Sequence, residues 1–315
     1  MSRVALAGFV ALALATAGAR AADPIRIMIL DGESAGAYHK WSLTTPVLKK
    51  ELEETGLFTV DVVTAPPAAG DFGAFAPAFT RYQAVVLNYD VPDERWPAPL
   101  KKAFEEFVAR AGLVVVHAAD NAFPGWPAFN EMIGVGGWRG RTESAGPFWY
   151  YKDGRVVSDT TPGPAGSHGA RVPFALTVRD AEHPIVKGLP PVWMHQGDEL
   201  YAQLRGPGRN MTVLATAFSD PANRGSGRDE PQLMVVRYGN GRIFHTTLGH
   251  DVNGLSSIDF VTTFQRGTEW AATGRVTQKV PASFPTATAV AYRPDLAAMD
   301  PAYRKGLDPL DAGSR

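Results

Sequence analysis

The chain contains no cysteine, and this absence excludes several kinds of chemistry. Without thiols the protein has no disulfide bonds, no cysteine nucleophile and no cysteine-ligated metal. Its stability must therefore come from an ordinary hydrophobic core. The 315 residues are sufficient for such a core, because α/β domains of this size commonly fold as a single unit.

The chain also lacks an excess of basic residues. Lysine and arginine together number 31 against 32 aspartates and glutamates, and no run is rich in lysine or arginine. Proteins that bind nucleic acid usually carry a basic patch, so nucleic acid is not expected as a partner. A small neutral or weakly charged ligand fits this composition better.

The apolar run at residues 4–17 is too short to span a bilayer comfortably. It follows the basic residue Arg3 and precedes Ala19-Arg20-Ala21, which fits the small-x-small pattern of a cleavage site. Residues 1–21 are therefore predicted to be a signal peptide, with an uncleaved anchor as the alternative. The mature protein is expected to be periplasmic or secreted and free of the membrane.

Hydrophobic patterning after residue 22 predicts an α/β domain. Strand-like runs cover residues 24–30, 58–63, 81–88, 113–116, 172–178, 211–217, 232–238 and 242–247. Helical periodicity covers residues 45–55, 98–111 and 260–272. The order β-α-β-β-α-β with short connections predicts a doubly wound, mostly parallel sheet with helices on both faces. We expect the domain to span residues 22–274 and the Pro-containing residues 275–315 to form an extended tail.

Regular alternation fades between residues 120 and 179, where glycine, proline and aromatic residues dominate. Disordered segments are poor in aromatic and apolar residues, so this Gly-rich, aromatic insertion is interpreted as a binding loop.

Histidines and carboxylates follow several of the predicted strands. His117 ends the run at 113–116, while His250 and Asp251 follow the run at 242–247. The pair Asp198 and Glu199 comes shortly after Val192-Trp193-Met194-His195, and His39 lies in the loop after the first strand. In an open parallel sheet the ligand crevice lies outside the carboxyl ends of the strands, so this pattern predicts an active site there.

Several short motifs, spread over about residues 25–273, resemble one family. They are His39-Lys40-Trp41, 44–48, 116–119, 126–129, 132–134, 183–185, 198–201, 238–242 and 248–251. In order and spacing these motifs are similar to those of the trehalose-utilisation family, often called ThuA-like. The resemblance implies the flavodoxin-like fold of class I glutamine amidotransferases. Those enzymes carry a cysteine at the turn after a central strand, where this chain has His117, so only the scaffold carries over and amide-nitrogen transfer is excluded.

The resemblance implies sugar handling, and a link to pathways that first oxidise a glycoside to a 3-keto sugar. A ketone at C3 acidifies the C2 proton, so a base can remove that proton while the glycosidic oxygen leaves from C1. Such a reaction needs a base, an acid and a group that stabilises the enolate. The candidate catalytic residues are His117, His250, His39, Glu199 and Asp198, with Glu199 preferred over Asp198.

Other residues are candidates for binding the substrate. Trp41 could stack on a sugar face, and Trp138, Arg139 and Arg141 could line the mouth of the pocket, although packing or a solvated loop would explain them equally. His195 could reach the same site if it is not packed inside. Asp251 could equally cap a short helix.

A divalent transition metal is a possible cofactor, with His39, His117 and His250 as possible ligands. Their spacing matches no recognised ligand signature.

The leading hypothesis is an exported enzyme, a lyase or hydrolase, that cleaves or processes a 3-keto glycoside or a related disaccharide. One alternative is a non-catalytic sugar-binding or accessory protein beside a sugar oxidoreductase. A second alternative is a metal-dependent hydrolase of unoxidised glycosides. In each case the expected ligand is a small sugar.

Overall fold

The computed structural model describes residues 23–34 and 38–300. The predicted signal peptide and residues 301–315 of the predicted tail lie outside the described residues. Within the described part, none of the helices has both the length and the apolar character needed to cross a bilayer.

The strands alternate with helices in the first half of the chain and follow one another in the second. The strands are β1 (Ile25–Asp31), β2 (Phe58–Thr64), β3 (Ala84–Leu87), β4 (Gly112–Val116), β5 (Phe148–Lys152), β6 (Arg155–Asp159), β7 (Ser167–His168), β8 (Val172–Val178), β9 (Val192–Asp198), β10 (Tyr201–Ala202), β11 (Met211–Phe218), β12 (Asp229–Tyr238) and β13 (Gly241–Thr246). The helices are α1 (Trp41–Glu53), α2 (Ala98–Val108), α3 (Pro127–Ile133), α4 (Val252–Leu255), α5 (Ile258–Thr273) and α6 (Pro294–Ala297).

The main sheet has the strand order β2-β1-β3-β4-β13-β12-β11-β8-β9, with the β5–β6 hairpin attached to β12. Strands β2, β1, β3, β4 and β13 are parallel. The remaining strands pair antiparallel. The change of direction begins at the tight hairpin that joins Tyr238 to Gly241 and reverses the chain between β12 and β13. The predicted α/β fold is confirmed, with an antiparallel extension on its parallel half.

Successive side chains along the parallel strands point to opposite faces of the sheet and contribute to two separate hydrophobic cores. In β1, Ile27 and Ile29 belong to the core that α1 and α5 cover, whereas Met28 and Leu30 belong to the core that α2 and α3 cover. All four side chains are fully buried, as expected for a strand between two helical layers. Because both faces are covered, the carboxyl edge of the sheet is left for a site.

The aromatic insertion is more regular than its sequence suggests. It contains α3 and the hairpin of β5 and β6, which pair from Phe148 with Asp159 to Lys152 with Arg155. The hairpin was not predicted, because the consecutive aromatic residues at 148–151 do not alternate with polar ones. Helix α1 also begins at Trp41, four residues before the predicted start at Thr45.

The first part of the predicted tail packs on the domain. Residues 275–300 have little regular structure, but Leu296 and Ala297 of α6 are buried. The Phe284 ring contacts Trp193 edge-on at 5.4 Å, and the backbone amide of Met194 donates to the Thr286 carbonyl at 2.8 Å.

Candidate active site

Four side chains from different parts of the chain meet at the carboxyl edge of the sheet. His39 follows β1, His117 follows β4, Glu199 follows β9 and His250 follows β13. One nitrogen or oxygen atom from each lies within 4.8 Å of the corresponding atoms of the other three. We call these four residues the histidine–glutamate cluster.

Glu199 reaches the cluster because the sheet curls. Three strands separate β9 from β13 in the sheet order, yet the Asp198 carboxylate at the end of β9 accepts hydrogen bonds from the amides of Gly249 and His250 at 2.7 and 3.1 Å. The antiparallel half of the sheet therefore bends until the ends of β9 and β13 lie side by side. This contact places Glu199 next to His250.

His117 occupies a strained turn directly after β4, with a φ of 44°. Such left-handed backbone is unfavourable for a residue with a β-carbon and is often found at functional sites. The Nδ1 atom of His117 lies 2.6 Å from the carbonyl oxygen of Thr247, and it must be the donor in that bond. The Nε2 atom therefore keeps its lone pair, lies 3.6 Å from Glu199 Oε2 and has no hydrogen-bond partner among the described residues.

The other two histidines of the cluster also have a buried ring nitrogen without a hydrogen bond among the described residues. His250 Nδ1 lies 3.1 Å from Glu199 Oε2 but not in hydrogen-bond geometry. His39 has its Nε2 atom 3.4 Å from the Tyr201 hydroxyl, and its Nδ1 atom has no partner in the described structure. The three imidazoles meet edge to face, with ring centroids 4.9 to 5.4 Å apart.

The cluster perturbs its own protonation equilibria. Burial and the neighbouring His117 and His250 hold the pKa of His39 well below its usual value. Burial would raise the pKa of Glu199, but the same two histidines hold it far below its usual range. Glu199 is therefore ionised at neutral pH, which makes it a poor general acid and a weak base.

Asp198 adjoins the cluster but is not one of its four residues. Its fully buried carboxylate accepts from the amide of Glu199 at 2.8 Å, besides those of Gly249 and His250, and pairs with His195 Nε2 at 3.1 Å. Asp198 was predicted to be catalytic and His195 to bind the substrate, but the structure buries both side chains next to the cluster. The Asp198 carboxylate is fully occupied by these donors, and the His195 ring is enclosed between Asp198 and Asp259.

Aromatic residues form a wall beside the cluster. The Tyr201 ring lies 4.0 Å from the His117 ring and 4.5 Å from the partly buried Trp138 ring. His168, paired with Tyr201 between β7 and β10, has its Nε2 atom 3.6 Å from Glu199 Oε1. Of these, only Trp138 was a sequence-predicted site residue. His168 was missed because its Gly- and Pro-rich surroundings carry no strand or helix signal. Tyr201 belongs to the motif at 198–201, but only the acidic pair of that motif was taken as a candidate.

The remaining predicted binding residues make contacts with other parts of the protein. Arg139 pairs with Asp90 through Nε at 2.5 Å and keeps about a quarter of its side chain exposed. Arg141 is buried. It donates to the carbonyls of residues 121, 122 and 137 and to the side chain of Asn130, so it stabilises loops and does not face a ligand.

Asp251 caps α4 by accepting from the Gly254 amide and pairs with Arg171. Trp41, partly buried, begins α1 two residues after His39.

Comparison with known sequences decides the family. The profile of the ThuA family, described as trehalose utilisation, matches residues 26–271. The chain belongs to this family. A comparison with curated proteins found no match.

Solved structures of ThuA-like proteins agree with this assignment. A ThuA-like protein from Parabacteroides merdae is 46% identical, with a TM-score of 0.83 over 87% of this chain and 99% of its own. A ThuA-like protein from Bacteroides uniformis is 18% identical, with a TM-score of 0.57 over 83% of this chain and 96% of its own, and supports the fold alone. The predicted family and fold are thus confirmed.

The strained turn after β4 presents an imidazole nitrogen of His117, and the chain has no cysteine that could act as a nucleophile there.

Proposed function

We propose that this ThuA protein is an exported enzyme that cleaves or processes a 3-keto glycoside, such as an oxidised trehalose-type disaccharide, at the histidine–glutamate cluster. The observation that carries the proposal is the convergence of His39, His117, His250 and Glu199 at the carboxyl edge, where three histidine nitrogens lack hydrogen-bond partners among the described residues. Polar groups buried without partners cost free energy, so their presence favours a functional role. The family's description as trehalose utilisation points to a sugar as the ligand.

The proposed step is an elimination that the ketone makes possible. A base removes the proton from C2, the C2–H electrons form the C1–C2 double bond through an enolate, and the C1–O bond breaks. The leaving alkoxide then takes up a proton. Hydration of the resulting unsaturated ketone would complete a net hydrolysis.

His168 is well placed to carry the proton from C2. Its Nδ1 atom donates to the carbonyl of Gly169 at 2.9 Å, which leaves a lone pair on Nε2, 3.6 Å from Glu199 Oε1. The side chain is about one-fifth exposed, so a substrate can reach it. The ketone oxygen would then face the three imidazoles of the cluster.

The aromatic wall suits a sugar ring. Trp138 and Tyr201 lie beside the cluster, and Trp138 remains partly exposed. Carbohydrate rings present C–H faces that pack on aromatic surfaces, while Arg139 at the rim offers donors to hydroxyl groups.

The test is a turnover assay of the mature protein on a 3-keto disaccharide and on its unoxidised parent. Turnover of the keto form alone, lost in His117→Ala and His250→Ala while sugar binding persists, is the expected result. Turnover of the parent would favour a hydrolase of unoxidised glycosides. Sugar binding without turnover of either form would favour an accessory protein, and would overturn the proposal.

Export and a partner enzyme complete the proposal. The basic, apolar and small-residue pattern of residues 1–21 supports export to the periplasm or medium. A 3-keto substrate must be supplied by a sugar oxidoreductase, which is the functional partner we expect. N-terminal sequencing of protein from cell fractions should find a chain that begins at Ala22 outside the cytoplasm; a full-length cytoplasmic chain would contradict export.

A further inference from the structure

We infer that the histidine–glutamate cluster binds one divalent first-row transition-metal ion through His39 Nδ1, His117 Nε2, His250 Nδ1 and the Glu199 carboxylate. The inference deepens the proposed function, since it concerns the same residues and rests on that function for its catalytic meaning. The binding itself can be measured without any sugar.

The first argument is the set of unpartnered nitrogens. Each of the three histidines has one buried ring nitrogen without a hydrogen-bond partner among the described residues: His39 Nδ1, His117 Nε2 and His250 Nδ1. Of these, His117 Nε2 and His250 Nδ1 lie 3.6 and 3.1 Å from Glu199 Oε2. His117 and His250 are only 2% and 5% exposed. A hydrogen-bonded imidazole network would pair these atoms, because each buried unpaired group costs about 1–3 kcal/mol. A metal ion would satisfy all three at once.

The second argument is the orientation of the outer ring nitrogens. Histidines that bind metals usually donate their other N–H to a carbonyl or another acceptor, which fixes the tautomer and the ring. His117 does this with the Thr247 carbonyl at 2.6 Å. His39 has its second nitrogen 3.4 Å from the Tyr201 hydroxyl, which can serve in the same way.

The third argument is the kind and spacing of the donors. Imidazole nitrogens suit zinc, iron, nickel and copper, whereas magnesium and calcium prefer oxygen ligands. Around a tetrahedral ion with bonds of about 2.0–2.2 Å, neighbouring donors lie roughly 3.5 Å apart. The observed donors lie within 4.8 Å of one another, so they would have to approach by at most about 1.3 Å to reach that spacing.

A bound ion would act as a Lewis acid at the position where the proposed reaction develops its enolate. His168 and Trp138 are not donors in the cluster, so they remain free for proton transfer and sugar packing. The metal site and the proton-transfer group are therefore separable by mutation.

The experiment is a metal titration of the full mature chain after dialysis against a chelator. Zn²⁺ and Co²⁺ are titrated by calorimetry, bound metal is quantified by mass spectrometry, and the visible absorption of Co²⁺ reports nitrogen coordination. We expect one ion per chain and an affinity at least about 100-fold lower in His117→Ala, His250→Ala and Glu199→Gln, because even outer-shell changes cost 10–100-fold.

His183→Ala is the matched control, since His183 packs edge-on against Trp270 away from the cluster and should leave metal affinity unchanged. Circular dichroism and a thermal melt establish that each variant folds, and Glu199→Gln preserves the side-chain shape if an alanine variant does not fold. Absence of stoichiometric binding to the wild-type chain, or equal losses in His183→Ala and Glu199→Gln, would overturn the inference. Stoichiometric metal without turnover of either sugar would support the metal site and overturn the proposed function, whereas turnover of the 3-keto sugar by a wild-type chain that fails to bind metal would support the proposed function and overturn the metal site.

Discussion

The Asp198 carboxylate accepts a hydrogen bond from the backbone amide of His250 at 3.1 Å and thereby joins the ends of two strands that lie far apart in the sheet order. The same carboxylate accepts from the amide of Glu199 at 2.8 Å. Asp198 therefore holds two members of the cluster in place through their backbone, and it does so without facing the cluster itself.

Replacement of Asp198 should be among the most damaging changes in the chain. Asp198→Ala leaves three amides and the Nε2 atom of His195 unpaired in the interior, and we expect a loss of about 3–5 kcal/mol in the free energy of unfolding. Asp198→Asn keeps one acceptor and should lose less, roughly 1–3 kcal/mol. Urea denaturation measures both. The control is Glu182→Gln in an exposed ion pair with Lys187, which should change stability by less than about 1 kcal/mol; equal losses in the buried and exposed variants would contradict this assignment.

His195 should make stability depend on pH above neutrality. Burial alone would lower the pKa of His195, but the carboxylates of Asp259 and Asp198 raise it well above 6.5. A group whose folded-state pKa is raised contributes stability that is complete below the unfolded pKa and is lost as pH rises through the folded one. The free energy of unfolding of the wild type should fall as pH rises above about 6.5. His195→Gln should flatten this decline, and parallel curves for the two proteins would refute the assignment.

Glu230 should produce a second pH dependence at lower pH. Burial raises the pKa of this carboxyl to about 7, against the opposing hydrogen bond from Ser226. The folded state therefore holds the proton more tightly, and stability should fall by about 3 kcal/mol as pH rises from roughly 4.5 to 7. The difference in unfolding free energy between Glu230→Gln and wild type should grow across this interval, measured by denaturation at each pH. A constant difference would show that Glu230 has an ordinary pKa.

Trp138 should contribute to sugar binding more than to chemistry. Trp138→Ala removes the partly exposed ring beside Tyr201, and we expect KM for the 3-keto sugar to rise roughly tenfold, which corresponds to about 1.4 kcal/mol. Trp138→Phe keeps an aromatic face and should lose less. Steady-state kinetics separate the two parameters; an unchanged KM with a reduced kcat would show that Trp138 does not form the sugar platform.

The parallel half of the fold could be predicted from the sequence, because continuous apolar runs and helical periodicity are strong local signals. The sequence was also sufficient to predict that His39, His117 and His250 would meet, since each follows a strand of the parallel half. The part played by Asp198 was not predictable, because it depends on how far the antiparallel half of the sheet curls. Sequence spacing likewise could not show that His195 is enclosed between two carboxylates, nor that His168 returns to the cluster, since both depend on contacts between residues distant in the chain.

The positive φ at His117 carries a cost in stability. A β-carbon in this conformation costs on the order of 1–3 kcal/mol, whereas glycine adopts it freely. A sequence optimised only for thermal resilience would therefore favour glycine at this turn. The chain instead carries an imidazole ring there. Replacing His117 by glycine to stabilise the protein would therefore remove the ring nitrogen and its function.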